Sequence, residues 1–314
     1  MKAKTIKTAL RKKTDEWIAS IEDEKLRELV HRDAIVTGGS IASMLLREQV
    51  NDFDVYFATK EATLAVAQYY CARFQPTTAK GIPCALSIQE DADGRIRIII
   101  KSAGIASEDG TEKPYEYFES RPAGDAAGYV SEVMHDQGEI QDTYEKTEQL
   151  AQQTEDDGKP KYRPVFLSTN AVTLSHRIQI IIRFYGPADQ IHENYDFVHC
   201  TNYWRCVDGE LVLRPAALEA LLTKELRYVG SKYPVCSIIR LRKFLGRGWT
   251  VNAGQILKIL MQISALDLHK LEVLQDQLTG VDSAYFLDVI AKLREKDPEK
   301  INSAYLVEII DRMF

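Results

Sequence analysis

Val36-Thr-Gly-Gly-Ser-Ile-Ala-Ser-Met-Leu-Leu-Arg-Glu-Gln-Val-Asn-Asp-Phe-Asp-Val-Tyr-Phe57 is the stretch on which the reading of this chain turns. Ala34 to Thr37 is a short apolar strand broken by Gly38-Gly39, and Ser40 opens a helix whose positions Ile41, Met44 and Leu45 face inward. Asp52 to Ala58 alternates as a strand, so Asp52 and Asp54 share one face while Phe53, Val55 and Phe57 share the other, buried one. At a rise of about 3.3 Å per residue the two aspartate Cα atoms lie about 6.6 Å apart. Carboxylates held side by side repel unless a cation lies between them, and hard oxygen ligands at this spacing suit Mg²⁺. Just upstream, Gly38-Gly39-Ser40 offers a backbone without side chains and fresh helix N–H groups to a phosphate. A Gly-Gly turn or an Asp-x-Asp strand alone is commonplace. Their conjunction across one short helix is not, and it points to phosphoryl-transfer chemistry.

These residues resemble the nucleotidyltransferase superfamily that includes DNA polymerase beta, poly(A) polymerases, CCA-adding enzymes and oligoadenylate-type synthases. In that family a Gly-Gly or Gly-Ser opens the helix after the first strand, two aspartates sit on the next strand, and a neighbouring later strand supplies a third carboxylate. The resemblance implies that Gly38, Gly39 and Ser40 contact the triphosphate and that Asp52 and Asp54 hold two Mg²⁺ ions, with Mn²⁺ as a substitute. For the third carboxylate the candidates are Glu90 and Asp196. Asp196 is preferred, because it lies in Tyr195 to Cys200 after Ile178 to Phe184, a segment apolar on both faces and hence a central strand. The competing role for Asp196 is an ion pair with Arg183 or a turn cap. CCA-adding enzymes carry an Arg-Asp pair in the helix after Gly-Gly. Here that helix reads Ile41-Ala-Ser-Met-Leu-Leu46, which disfavours CCA addition. The block Ile178 to Tyr203 also resembles uncharacterised, often phage-encoded, members of the superfamily.

Charge sharpens this reading. The 314 residues carry 40 basic and 46 acidic side chains, a net −6 that taken whole argues against a polyanionic partner. The charge is unevenly placed, however. Ile105 to Asp157 carries about −12 and reads as an acidic insertion, whereas Lys224 to Arg247 carries about +6. Lys232 and Arg240 in that basic run are the candidates for holding a triphosphate or a nucleic acid. Tyr203, Trp204, Tyr228 and Tyr233 near it could stack a base, although such residues more often anchor packing.

Elsewhere Thr14-Asp-Glu16 reads as a helix start, and Trp17, Ile18, Ile21, Leu26, Leu29 and Val30 recur at helical spacing. Lys60 to Phe74 is a second amphipathic helix. Ala85 to Gln89 and Arg95 to Lys101 are strands, as are Val165 to Ser168, Ala171 to Leu174, Ile178 to Phe184 and Tyr195 to Cys200; Pro187 to Glu193 makes one or two helical turns. From Pro215 the pattern is helical: Pro215 to Leu226, Val235 to Leu245, Asn252 to Leu266, Asp282 to Glu295 and Asn302 to Met313. The expected class is α+β, a nucleotidyltransferase-like mixed β-sheet with flanking helices followed by an all-helical C-terminal domain. The corresponding divisions are 1–32 (N-terminal helices), 33–213 (nucleotidyltransferase-like domain, with the insertion about 105–160) and 214–314 (helical domain).

The five cysteines, Cys71, Cys84, Cys200, Cys206 and Cys236, are scattered without a C-x-x-C pair, which reads as idle thiols in a reducing compartment. His192, His199, Cys200 and Cys206 fit no common zinc spacing. No apolar run reaches membrane-spanning length and the basic amino terminus lacks a signal-like core, so a cytoplasmic location is expected, with no membrane partner. The expected activity is metal-dependent transfer of a nucleoside monophosphate from ATP or another triphosphate to a hydroxyl of RNA, protein or a small molecule, with Asp52, Asp54 and Asp196 catalytic. The alternatives are a catalytically silent module of the same fold, in a phage particle or a toxin–antitoxin pair, and a non-catalytic RNA binder. The sequence does not indicate an oligomeric state.

Overall fold

The computed structural model describes residues 1–74, 84–92, 94–102, 160–167 and 170–268, with positions 270, 273, 276 and 277. The acidic stretch 105–157 and the helices expected at Asp282–Glu295 and Asn302–Met313 lie outside the described residues. The order of elements is α1 (Ala3–Ala19), α2 (Glu24–Asp33), β1 (Ala34–Thr37), α3 (Gly39–Leu46), β2 (Phe53–Phe57), α4 (Lys60–Arg73), β3 (Cys84–Glu90) and β4 (Ile96–Ser102). There follow β5 (Pro164–Leu167), β6 (Ala171–Leu174), β7 (Ile178–Ile181), α5 (Ala188–His192), a single 3-10 turn (Val198–Cys200), β8 (Tyr203–Arg205) and β9 (Leu211–Val212). The described chain then becomes helical through α6 (Pro215–Thr223), α7 (Pro234–Gly246) and α8 (Ala253–Ser264). The protein is therefore a mixed α+β chain.

Seven strands form one sheet in the order β5-β6-β7-β2-β1-β8-β9, and β3 pairs with β4 as a separate hairpin. β2 runs antiparallel to β1 and parallel to β7, so the sheet is mixed at the aspartate strand. Side-chain alternation sorts its two faces. Val36, Val55, Phe57, Ile178, Ile180 and Trp204 are buried in the main core on one face. Thr37, Asp54, Gln179 and Tyr203 stand on the other, because the register pairs Thr37 with Asp54 and Tyr203, and Asp54 with Gln179.

The first helix begins at Ala3, not at Thr14. Ile6, Leu10, Thr14 and Trp17 form its buried stripe, and the Thr14 hydroxyl donates to the Leu10 carbonyl at 2.9 Å instead of capping. The Trp17 ring is fully buried and its indole N–H donates to the Tyr70 hydroxyl at 2.7 Å, tying α1 to α4. Truncating such a side chain costs about 3–5 kcal/mol. α2 and α4 start where the Asp23 and Thr59 side chains accept from the Leu26 and Ala62 amides.

Two further expectations are corrected. Ile178–Phe184 contributes only four residues to the sheet, although as expected these lie between two neighbours, β6 and β2. Tyr195–Cys200 is no strand: Phe197 makes an isolated bridge to Tyr228 and Val198–Cys200 is a 3-10 turn. The strand beside β1 is instead Tyr203–Arg205, joined to β9 through Asp208 and a left-handed Gly209 at φ 65°. A smaller core of Phe197, Leu221, Leu226, Tyr228, Trp249 and Ile259 closes on Ala42 of α3, so the helical segment packs against the glycine-led helix. No helix among the described residues is long and apolar enough to cross a membrane.

Candidate functional site

The site grows from the break between β1 and α3. Gly38 adopts φ 88°, ψ −152°, a conformation in which a side chain is strained. A Cβ placed there would lie 2.5 Å from Oδ2 of Asp54 and 3.5 Å from the Tyr195 hydroxyl, so the aspartate occupies the space a side chain would need. The Gly38 amide donates to the Cys200 carbonyl at 3.2 Å, which anchors the turn to the 3-10 segment. Gly39 opens α3, and a Cβ there would meet nothing within 4 Å. Ser40 is 2% exposed and its hydroxyl has no hydrogen-bond partner. A buried hydroxyl without a partner in the first turn of a helix is costly unless a ligand completes it.

Desolvation first, and then the charge of Asp52, push the Asp54 carboxyl well above the usual carboxylate range; Lys243 and Arg240 of α7 pull it back. The two acids thus share a field, and the basic run proposed from sequence lies close enough to be felt by them. Asp52, expected in the strand, lies in the loop just before β2 and is steered from outside it. The Phe53 amide donates to the Arg177 carbonyl at 2.8 Å, and Arg177 Nη1 donates to the Val50 carbonyl at 3.0 Å. Arg177 therefore brackets the two residues, Asn51 and Asp52, that lead into β2. It does so from a turn in which His176 and Arg177 both hold positive φ, 66° and 64°, a rare choice for residues other than glycine.

Asp196 is engaged by α7. Its carboxylate accepts from Ser237 Oγ at 2.7 Å and from Arg240 Nη1 at 2.5 Å, both on α7. Burial works against the Arg240 charge, but the Asp196 carboxylate overcomes it and raises the arginine pKa. The sequence placed Asp196 on a strand next to the Asp52–Asp54 strand. It lies instead in a loop and is 7% exposed, where burial requires a counter-charge and α7 supplies one. Among the described residues no group of three or more His, Cys, Asp or Glu side chains is arranged to hold a metal ion.

Beneath the glycines, Thr37 Oγ1 lies 2.9 Å from His192 Nε2 and 2.9 Å from the Asn202 carbonyl. The hydroxyl has one proton to give. If it goes to the carbonyl, His192 carries its own proton on Nε2 and donates to Thr37. Burial, assisted by Arg214, lowers the His192 pKa to about 4, so the ring is neutral near pH 7. The Cys200 thiol, desolvated and facing both Asp54 and Asp196, is pushed up to about 12 and is no nucleophile. Lys232 is exposed just before α7, and its carbonyl accepts from Gln277 Nε2 at 2.9 Å. Trp204, Tyr228 and Tyr233 are buried packing residues, which leaves them unsuited to stacking a base. Sequence reading weighed His192 only as a zinc ligand and gave no role to Thr37, Arg177, Gln179 or Lys243; Thr37, Gln179 and Lys243 lay in stretches already singled out, but only strand register and helix packing bring them to the acids.

The fold and this junction define an α+β protein whose mixed sheet sets a carboxylate pair against a glycine-led helix N-terminus. The chain belongs to the Gabija anti-defense 2 (Gad2) family, whose model matches residues 8–224. Among solved structures it is similar to a Thermotoga maritima CCA-adding enzyme complexed with tRNA_CCA, at 12% identity over 92% of this chain and 56% of that chain, with a TM-score of 0.36. It is likewise similar to a tRNA-processing enzyme with CTP, at 13% identity over 90% of this chain and 55% of that one, TM-score 0.33. The chain thus spans about half the length of either neighbour. No curated protein matches it.

Proposed function

We propose that this chain binds a nucleoside triphosphate together with a divalent cation at the Gly38–Asp54 junction and transfers the nucleotidyl group to an acceptor in the Gabija defence that its family opposes. The observation that carries this reading is the packing of Gly38 against the Asp54 carboxylate. A helix N-terminus attracts anions and a carboxylate pair repels them, so the two belong together where a cation lies between phosphate and carboxylate. The residues fit such an ion: Asp52 and Asp54 repel one another, the Gly38 backbone leaves their approach open, and the Ser40 hydroxyl lacks a partner.

In this reading Asp52 and Asp54 hold the cation, while Gly38, Gly39 and Ser40 receive the phosphates on the α3 amides. Arg240, and Lys232 exposed just before the same helix, face the outer phosphates with Lys243. Asp196 acts by fixing Arg240. A divalent cation bound there would offset phosphate charge and lower the pKa of an attacking hydroxyl.

A second reading, nucleotide binding without transfer, draws on the engagement of the Asp196 carboxylate by Ser237 and Arg240. Incubation with Mg²⁺, each α-labelled nucleoside triphosphate and the Gabija proteins separates the two. Label on a Gabija protein, lost in Asp52→Asn and Asp54→Asn, supports transfer, and label on RNA would move the acceptor. Thermal stabilisation by triphosphate and Mg²⁺ with no transfer supports the binding module. With neither signal, both readings fall.

A further inference from the structure

We propose that Gln179 limits the acid pair of the nucleotide-free protein to a single divalent cation. The inference rests on the cation-binding reading of Asp52 and Asp54 given above. β7 is the parallel neighbour of β2, and its register sets Gln179 directly beside Asp54. Paired positions on adjacent strands project to the same face with backbones about 4.8 Å apart. Burial supports that placement independently: Ile178 and Ile180 on either side are wholly buried in the main core, while Gln179 is half-buried like Asp54. A row of polar side chains, Thr173, Gln179, Asp54 and Thr37, therefore crosses four strands of the sheet on the face opposite that core.

Within this row Asp54 is the one charged member, and it shares its charge with Asp52 of the preceding loop. Two carboxylates balance the charge of one divalent ion. A second ion about 3.5–4 Å away, the spacing of two-metal sites, draws on further negative ligands, which in the nucleotide-free protein must come from its own side chains. The place where β7 could supply one holds a neutral amide, whose oxygen is a ligand without charge. The remaining buried acid nearby, Asp196, has its charge taken up by Arg240. Lys243 and Arg240 add positive potential on the α7 side, which further disfavours a second ion. The charge at position 179 thus sets the metal stoichiometry, and a glutamate there converts a one-ion site into one able to take two.

The test is titration of the full-length protein with Mn²⁺, reading free ion by electron paramagnetic resonance without nucleotide. The wild-type chain is expected to bind one Mn²⁺. Gln179→Glu should add a second bound ion, tighter binding of a single ion counting against the inference, and Gln179→Asp serves if the glutamate variant melts early. Two tightly bound ions in the wild-type chain overturn the inference while leaving the cation site standing. So does unchanged binding in a folded Gln179→Glu or Gln179→Asp. No bound Mn²⁺ in the wild-type chain overturns the inference and the acid-pair reading together. Loss of the bound ion in Asp54→Asn assigns it to this pair and not to another surface.

Discussion

Oδ2 of Asp54 sits 2.5 Å from the point where a side chain at Gly38 would begin, so the strand-to-helix turn and the aspartate strand are fitted to each other atom against atom. That spacing explains why glycine is required twice over, for a positive φ and for room.

Replacing Gly38 with alanine forces either the turn or the carboxylate to move. The combined strain is expected to lower stability by about 1–3 kcal/mol and to weaken Mn²⁺ binding more than tenfold. Gly39→Ala meets open space and should do neither. Calorimetric Mn²⁺ titration of both variants checks the contrast, and equal behaviour would refute the role given to Gly38.

Arg177 separates backbone strain from tethering. Arg177→Gly relieves a left-handed residue, a gain of about 1 kcal/mol, while losing the side-chain bond to Val50, a loss of similar size. The melting temperature should therefore stay nearly constant while Mn²⁺ affinity falls several-fold, because the loop carrying Asp52 is loosened. Unchanged affinity would show that the tether does not position the acid.

Asp196 and Arg240 are coupled through a buried charge. Arg240→Met leaves a carboxylate that is 7% exposed without its counter-charge and should cost about 3–5 kcal/mol. Adding Asp196→Asn should recover much of that loss. A double-mutant cycle with no coupling energy would remove the pair from the account.

Acid stability follows His199 and His192. His199 is 1% exposed, with Trp249 at 4.2 Å and Phe244 at 4.7 Å between ring centroids, and burial lowers its pKa from 6.5 to about 4. His192 is lowered to about 4 as well. The folded state thus favours the neutral ring. Its contribution is complete above pH 6.5 and is lost as pH falls from there towards 4, by about 3 kcal/mol for each ring. Chemical denaturation across that window should show the decline, and His199→Gln should flatten it; a slope unaffected by the substitution would assign the acid transition elsewhere.

Much of this was legible in the sequence, for local reasons. The strand, the glycine pair, the helix and the alternating aspartate strand are each set by neighbours within a few residues, and β1, α3 and β2 match that reading closely. Asp196 was misplaced because its segment is apolar on both sides, and periodicity cannot distinguish a buried loop from a buried strand. What hides its charge is Arg240, more than forty residues on and invisible to local pattern. Thr14 misled for a related reason: a capping residue and a back-bonded residue look alike until the Ile6–Leu10 stripe is seen to be covered. Gln179 lay inside the expected strand Ile178–Phe184 without being singled out, since only the pairing of β7 with β2 gives it a neighbour.

The parallel pairing of β2 with β7 has a consequence for assembly. Asp54 and Gln179 are about 125 residues apart in the chain, and the Gly38 turn is pinned by the Cys200 carbonyl from still further on. During synthesis the glycine turn and the aspartate strand emerge long before the partners that fix them. The early half holds the acids and the late half holds their frame, so residues 1–102 and 160–314 made as separate polypeptides should recover cation binding only when mixed.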